Sequence, residues 1–154
     1  MTSWVLRIDP AASEALLLAA RSQHLRRWQL PRSEFPAGRA GYLQWRKRLA
    51  VFHAEQASEI LGRVGYDTIT IEAVRRINLK QGLKQDPQVQ TMEDALCLTF
   101  LELDSEAFAN KHDVSKLATI LKKTWSKMSE RGRTLALELP FSPRLTALIS
   151  SIVE

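Results

Sequence analysis

One stretch of the sequence decides the fold: TMEDALCLTFLEL, residues 91–103. Nearly every side chain after Asp94 is apolar, which is typical of a helix that is buried on most of its sides. Elsewhere apolar residues recur at three- and four-residue spacings, and no alternating strand pattern persists. The sequence therefore predicts an all-α fold arranged around a central buried helix.

Prolines and glycines set the bounds of the remaining helices. We predict further helices over residues 11–27, 40–63, 68–80, 114–128 and 144–153. Asp9 and Ser13 are both candidate N-caps for the first of these. Loops are predicted over residues 30–38 and 82–88. Since 154 residues is the size of one ordinary domain, the expected architecture is a single-domain bundle of about six or seven helices over residues 1–154.

Composition excludes several classes of protein. The single cysteine, Cys97, rules out an intramolecular disulfide, so a reducing compartment fits better than a secreted framework. No apolar run approaches the roughly 18 residues that span a bilayer. The first residues also lack the basic and apolar regions of a signal peptide. We therefore predict a cytoplasmic protein with no membrane partner, and the sequence does not indicate its oligomeric state.

Positive charge is concentrated in one segment, residues 21–48. The net charge of the chain is +5, yet this segment alone holds eight basic residues against one acid, Glu34, which leaves about −2 for the rest. Such an excess attracts phosphate groups or acidic partners. Salt bridges to the acidic remainder are the alternative interpretation.

The chain has three histidines, His24, His53 and His112. The helical spacing puts His24 on a buried face and His53 on a face shared with Leu49 and Ala57. Two inward histidines on neighbouring helices can converge on a metal ion or a phosphate group. Each one alone is more often a hydrogen-bonded core histidine than a ligand.

Asp94 has two interpretations at the head of the apolar stretch. Thr91 to Asp94 resembles a capping box, with acids favoured in the first turn of a helix. A carboxylate at the mouth of the core is also a suitable ligand for a hard or borderline cation. The sequence alone does not separate the two.

The densest group of polar and aromatic side chains lies within the basic segment. It comprises Gln23, His24, Arg27, Trp28, Arg32, Arg39, Tyr42, Trp45 and Arg46. Arginine binds phosphate through a fork of donors, and aromatic rings stack on bases or on guanidinium groups. These residues are candidates for substrate binding. The alternative is a core built around two tryptophans, with the arginines covering it at the surface.

Several longer motifs resemble domain-of-unknown-function family 4202. They include residues 20–28 (ARSQHLRRW), 39–46 (RAGYLQWR), 52–55 (FHAE), 92–98 (MEDALCL), 108–112 (FANKH, with Lys111) and 124–129 (TWSKMS). The resemblance covers essentially the whole chain. It implies an α-helical protein but lends no biochemical function.

A more distant resemblance links residues 53–61 (HAEQASEIL), 65–67 and 71–74 to the HD superfamily of metal-dependent phosphohydrolases. This resemblance implies an HD-domain-like bundle and a divalent metal ion. By position, Gln23-His24 falls where the superfamily has its His-Asp pair. His53 would be the additional ligand, and Asp94 the late aspartate.

The chain departs from the superfamily pattern in two places. It reads Gln-His where the His-Asp pair belongs, and the helix that supplies the first histidine would lie before Met1. We therefore expect an N-terminally shortened form, lacking a helix that relatives have.

Two functions follow as expectations. The first is an HD-like phosphohydrolase, or its degenerate descendant, acting on a nucleotide or other phosphate ester. A metal held by His24, His53 and Asp94 would activate water, and the arginines, with Lys111 and the aromatic residues, would bind the substrate. The alternative is a non-catalytic module that binds RNA or another anionic partner through its basic, aromatic face. A helical interaction protein without a small ligand is a third possibility.

Overall fold

A computed structural model describes residues 1–153, which form nine α-helices and two 3₁₀ turns and contain no strand. The all-α prediction is confirmed. The helices are α1 (Thr2–Ile8), α2 (Glu14–Ser22), α3 (Gly38–Arg63), α4 (Thr68–Asn78), α5 (Pro87–Leu103), α6 (Ser105–Lys111), α7 (Val114–Lys127), α8 (Glu130–Leu137) and α9 (Pro143–Val153). The 3₁₀ turns, Arg27–Gln29 and Arg32–Glu34, lie between α2 and α3.

Side-chain caps explain where many of these helices begin. Ser13, rather than Asp9, caps α2 by accepting a hydrogen bond from the backbone N–H of Leu16. Asp67, Asp86 and Asp113 cap α4, α5 and α7 in the same way. Each cap satisfies backbone donors that the first turn of a helix leaves without a partner.

Helix α5 lies at the centre of the bundle and contacts α1, α2, α4, α6, α7 and α8. Its apolar side chains, among them Met92, Ala95 and Leu98, are buried in one hydrophobic core. On the other side of the bundle, α4 packs between α2 and α3. Within residues 1–153, no helix is both long enough and apolar enough to cross a membrane.

The prediction of six or seven helices was too low. Helices α1, α6 and α8 are short, of seven, seven and eight residues, so their apolar periodicity extends over too few turns to be recognised. The central helix also begins at Pro87, because Asp86 caps it. Asp94 therefore lies two turns inside α5, and the capping-box interpretation of residues 91–94 was wrong.

The loop before α3 is held tightly against that helix. Gly41 lies against the carbonyl group of Pro36, where a Cβ atom would overlap the oxygen and lie 2.7 Å from the carbon. The indole N–H of Trp45 donates to the carbonyl oxygen of Leu30 at 3.0 Å. These contacts fix the segment that carries the candidate site residues.

Candidate functional site

The structure brings His24 and His53 together although they are 29 positions apart in the sequence. Their ring centroids are 6.2 Å apart and the ring planes are inclined by 77°. His53, on α3, is 3% exposed, whereas His24 is exposed. The pair therefore connects the core to the surface.

His24 does not lie on a buried helical face as predicted. Helix α2 ends at Ser22, before His24. Arg26 then adopts a left-handed backbone conformation (φ 51°), which no α-helix continues through. The guanidinium group of Arg26 donates to the side-chain oxygen of Gln56 on α3 at 2.6 Å. This turn carries His24 out of the helix and towards α3.

Two arginines complete a group that we call the histidine–arginine cluster: His24, Arg27, Arg46 and His53. The guanidinium carbon of Arg27 lies 4.9 Å from the centroid of the Trp45 ring, an arrangement that stabilises the cation. Arg46 is exposed one turn above Leu49 on α3. In the part of the chain that the structure describes, neither arginine forms a salt bridge.

Charges in the cluster repel one another. Burial, followed by the positive charges of His24, Arg27 and Arg46, lowers the pKa of His53 to about 4. Partial desolvation, Arg27, Arg46 and the N-terminal amino group lower the pKa of His24, and Asp104 opposes them. Desolvation and Arg46 also lower the pKa of Arg27. Near neutral pH both imidazoles are therefore uncharged, and the two guanidinium groups carry the positive charge.

Within residues 1–153, three buried side-chain atoms have no hydrogen-bond partner: Nε2 of His53, which belongs to the cluster, Oε1 of Gln23 and Oδ1 of Asn78. A buried polar atom without a partner destabilises the folded state, because it has lost its hydrogen bonds to water without forming new ones. A polar ligand that reaches His53 would remove part of this cost.

Asp94 is engaged elsewhere. Its carboxylate accepts hydrogen bonds from the backbone N–H of Ser129 at 2.8 Å, from the hydroxyl group of Ser129, and from the side-chain amide of Gln90 at 3.0 Å. Ser129 is the N-cap of α8, and Gly132 leaves the room that the carboxylate occupies. Asp94 therefore fastens the start of α8 to α5.

The residues present do not fit the divalent metal that the HD resemblance implies. Within residues 1–153, no group of three or more His, Cys, Asp or Glu side chains is arranged to hold a metal ion. His24 and His53 stand together without a carboxylate ligand from Asp94. Cys97 adds no reactive thiolate, because burial raises the pKa of its thiol to about 12.

The other predicted binding residues take different roles. Trp45 is buried under Arg27 and belongs to the core, which favours the structural interpretation for this ring. Arg32 donates to the carbonyl oxygens of Phe35 and Pro36, each at 2.8 Å, and so holds its own loop together. Arg39 and Lys111 are exposed at the ends of α3 and α6, and neither is among the charges that act on the two imidazoles.

Sequence reasoning missed Asp104 and Phe52. Asp104, between α5 and α6, is the acid that acts on His24, and the Phe52 ring lies 5.9 Å from the ring of His53. Only the position of Phe52 beside a candidate histidine could have identified it. No sequence signal connects Asp104 with His24, 80 positions away.

A surface depression of about 640 Å³ lies away from the cluster, between the end of α4 and the start of α5. Arg76 and Asp86, which line it, pair with each other at 3.1 Å. Unlike the arginines of the cluster, these charges are already compensated.

Comparison with known proteins gives the class of this chain. The model of the family described as "Domain of unknown function (DUF4202)" matches residues 1–149. The chain therefore belongs to this family, as the motifs predicted. No curated protein and no solved structure matches it.

Proposed function

We propose that the histidine–arginine cluster binds the phosphate group of a phosphorylated ligand. The observation that carries the proposal is the proximity of two guanidinium groups, without salt bridges in the described residues, to the exposed ring of His24 and the buried ring of His53. Nε2 of His53 has no hydrogen-bond partner within residues 1–153. Arginine forks and imidazole N–H groups are suitable donors to phosphate oxygens.

An anion would relieve the repulsion within the cluster. Arg27 and Arg46 lower the pKa values of both histidines, which means that a proton on either ring is unfavourable in the free protein. A bound phosphate reverses this effect, because its negative charge favours the protonated rings. Ligand binding should therefore take up protons.

The resemblance to HD phosphohydrolases supports the same class of ligand, a phosphate ester. Asp94, however, is occupied by Ser129 and Gln90, so the metal-dependent part of that chemistry is not included in the proposal. The proposed activity is binding, with Arg27 and Arg46 supplying charge and the histidines supplying N–H donors.

Titration of the protein with pyrophosphate by isothermal calorimetry at low ionic strength tests the proposal. We expect the Arg46→Ala variant to bind about 10- to 150-fold more weakly than the wild type, since hydrogen bonds to a charged group contribute roughly 1.5–3 kcal/mol. Arg131→Ala is the matched control, because Arg131 is exposed on α8 and forms no salt bridge within residues 1–153. Equal binding by the three proteins, or none by the wild type, would contradict the proposal.

A further inference from the structure

We infer that the phosphorylated ligand is a nucleotide unit, whose base stacks on aromatic rings that flank the histidine–arginine cluster. This inference rests on the proposed phosphate site and specifies its ligand. The observation behind it is the distribution of aromatic side chains over the surface.

Only two aromatic residues among those the structure describes are exposed. They are Trp28, at 76%, and Tyr42, at 45%. The chain has eleven tryptophan, tyrosine and phenylalanine residues, so exposure of just these two is selective. Both lie in the basic segment, and Trp28 directly follows Arg27 in the 3₁₀ turn.

Tyr42 is linked to the cluster through Trp45. The Tyr42 and Trp45 ring centroids are 5.9 Å apart with the planes inclined by 49°, and the guanidinium group of Arg27 also lies against Trp45. Tyr42 is also one of the groups that act on the pKa of Arg27, which it raises. An exposed ring thus lies beside the groups proposed to hold phosphate.

The spacing of side chains along α3 matches the distance between the base and the phosphate of a nucleotide. Tyr42, Arg46 and His53 follow one another at intervals of four and seven residues, which places them on one side of the helix. Tyr42 and Arg46 are one turn apart, about 6 Å along the axis, a separation that a ribose can bridge between its base and its phosphate. Neither the hydroxyl of Tyr42 nor the indole N–H of Trp28 makes a hydrogen bond in the described part of the chain, so no polar contact fixes either ring against the protein.

Base stacking on an aromatic side chain and phosphate binding by neighbouring basic groups are the two elements of single-strand recognition. The same chemistry would hold a free nucleotide. In both cases the base contributes affinity that an inorganic phosphate lacks, by roughly 1–3 kcal/mol per stacked base, or about 5- to 150-fold.

The test compares four ligands by calorimetry at one salt concentration: pyrophosphate, ADP, a single-stranded six-nucleotide RNA, and the same RNA as a duplex. We expect ADP and the single strand to bind at least five-fold more tightly than pyrophosphate, and the duplex to bind no better than pyrophosphate. If the single-stranded RNA binds more tightly than ADP, the ligand is a nucleic acid. If the single strand and ADP bind equally tightly, the ligand is a free nucleotide.

Variants assign the effect to the two rings. Tyr42→Ala with Trp28→Ala should reduce the advantage of ADP over pyrophosphate to less than two-fold, whereas Tyr42→Phe should preserve it. Pyrophosphate should still bind to both variants, which reports an intact phosphate site. If pyrophosphate binds as tightly as ADP, or if the double alanine variant keeps the advantage, the base-stacking inference is wrong and the phosphate proposal stands. If no phosphate compound binds, the phosphate proposal itself fails.

Discussion

At the scale of single residues, His53 combines burial with positive neighbours. Its pKa of about 4 lies below the ordinary imidazole value of 6.5, so the folded protein keeps the ring neutral where the unfolded chain is already protonated. Between these two pH values the unfolded state binds more protons. The free energy of unfolding should therefore fall as the pH falls through this window, by up to about 3 kcal/mol.

This effect can be measured by urea unfolding at pH 7.5, 6 and 5. We expect the wild type to lose stability towards pH 5, and the His53→Gln variant to lose much less. His24 contributes in the same direction, because its pKa is also lowered. His112→Gln is the control, since that ring lies against Phe108, with ring centroids 4.1 Å apart, outside the cluster. An unchanged pH dependence in His53→Gln would show that His53 is not the buried titrating group.

At the scale of elements, α3 contains two glycines that should respond to the same substitution with opposite sign. A methyl group on Gly41 would overlap the Pro36 carbonyl, whereas one on Gly62 would meet only a side-chain methyl of Ile71 at 4.0 Å. We expect Gly41→Ala to destabilise the protein by about 1–3 kcal/mol, as overpacking does. Gly62→Ala should stabilise it by about 0.5–1 kcal/mol through helix propensity.

Urea unfolding of both variants at pH 7.5 measures the two changes in the free energy of unfolding. Gly41→Ala should also weaken pyrophosphate binding, because displacing the Pro36 loop disturbs the segment between Arg27 and α3. Stabilisation by both substitutions would mean that the loop is not held against α3 as described.

Helix existence was predictable wherever the apolar repeat runs for several turns, as in α3 and α5. The residues at which helices end depend on specific contacts, which the spacing of apolar residues in the sequence does not encode. The first predicted helix extended to residue 27, but the left-handed conformation of Arg26 and its bond to Gln56 end the helical path earlier. The two histidines could be paired from the sequence. The role of Asp94 could not, because it depends on Ser129, 35 positions later.

At the scale of the whole molecule, the charge is unevenly distributed, and the histidine–arginine cluster lies in its most positive part. Residues 21–48 carry +7 against a net charge of +5 for the chain, and three of the four cluster residues, His24, Arg27 and Arg46, belong to this segment. A local excess of this kind raises the concentration of anions near the site, an effect that salt screens within about 10 Å at 0.1 M.

The most direct test of phosphate binding at the cluster uses the three histidines themselves. Long-range ¹H–¹⁵N NMR spectra resolve each imidazole, and His→Gln variants assign them. Titration with pyrophosphate at pH 6.5 and low salt should shift the signals of His24 and His53 towards the protonated form with one common dissociation constant, and leave His112 unmoved. The opposite result, in which His24 and His53 stay fixed or all three rings move alike, would contradict a phosphate site between His24, Arg27, Arg46 and His53.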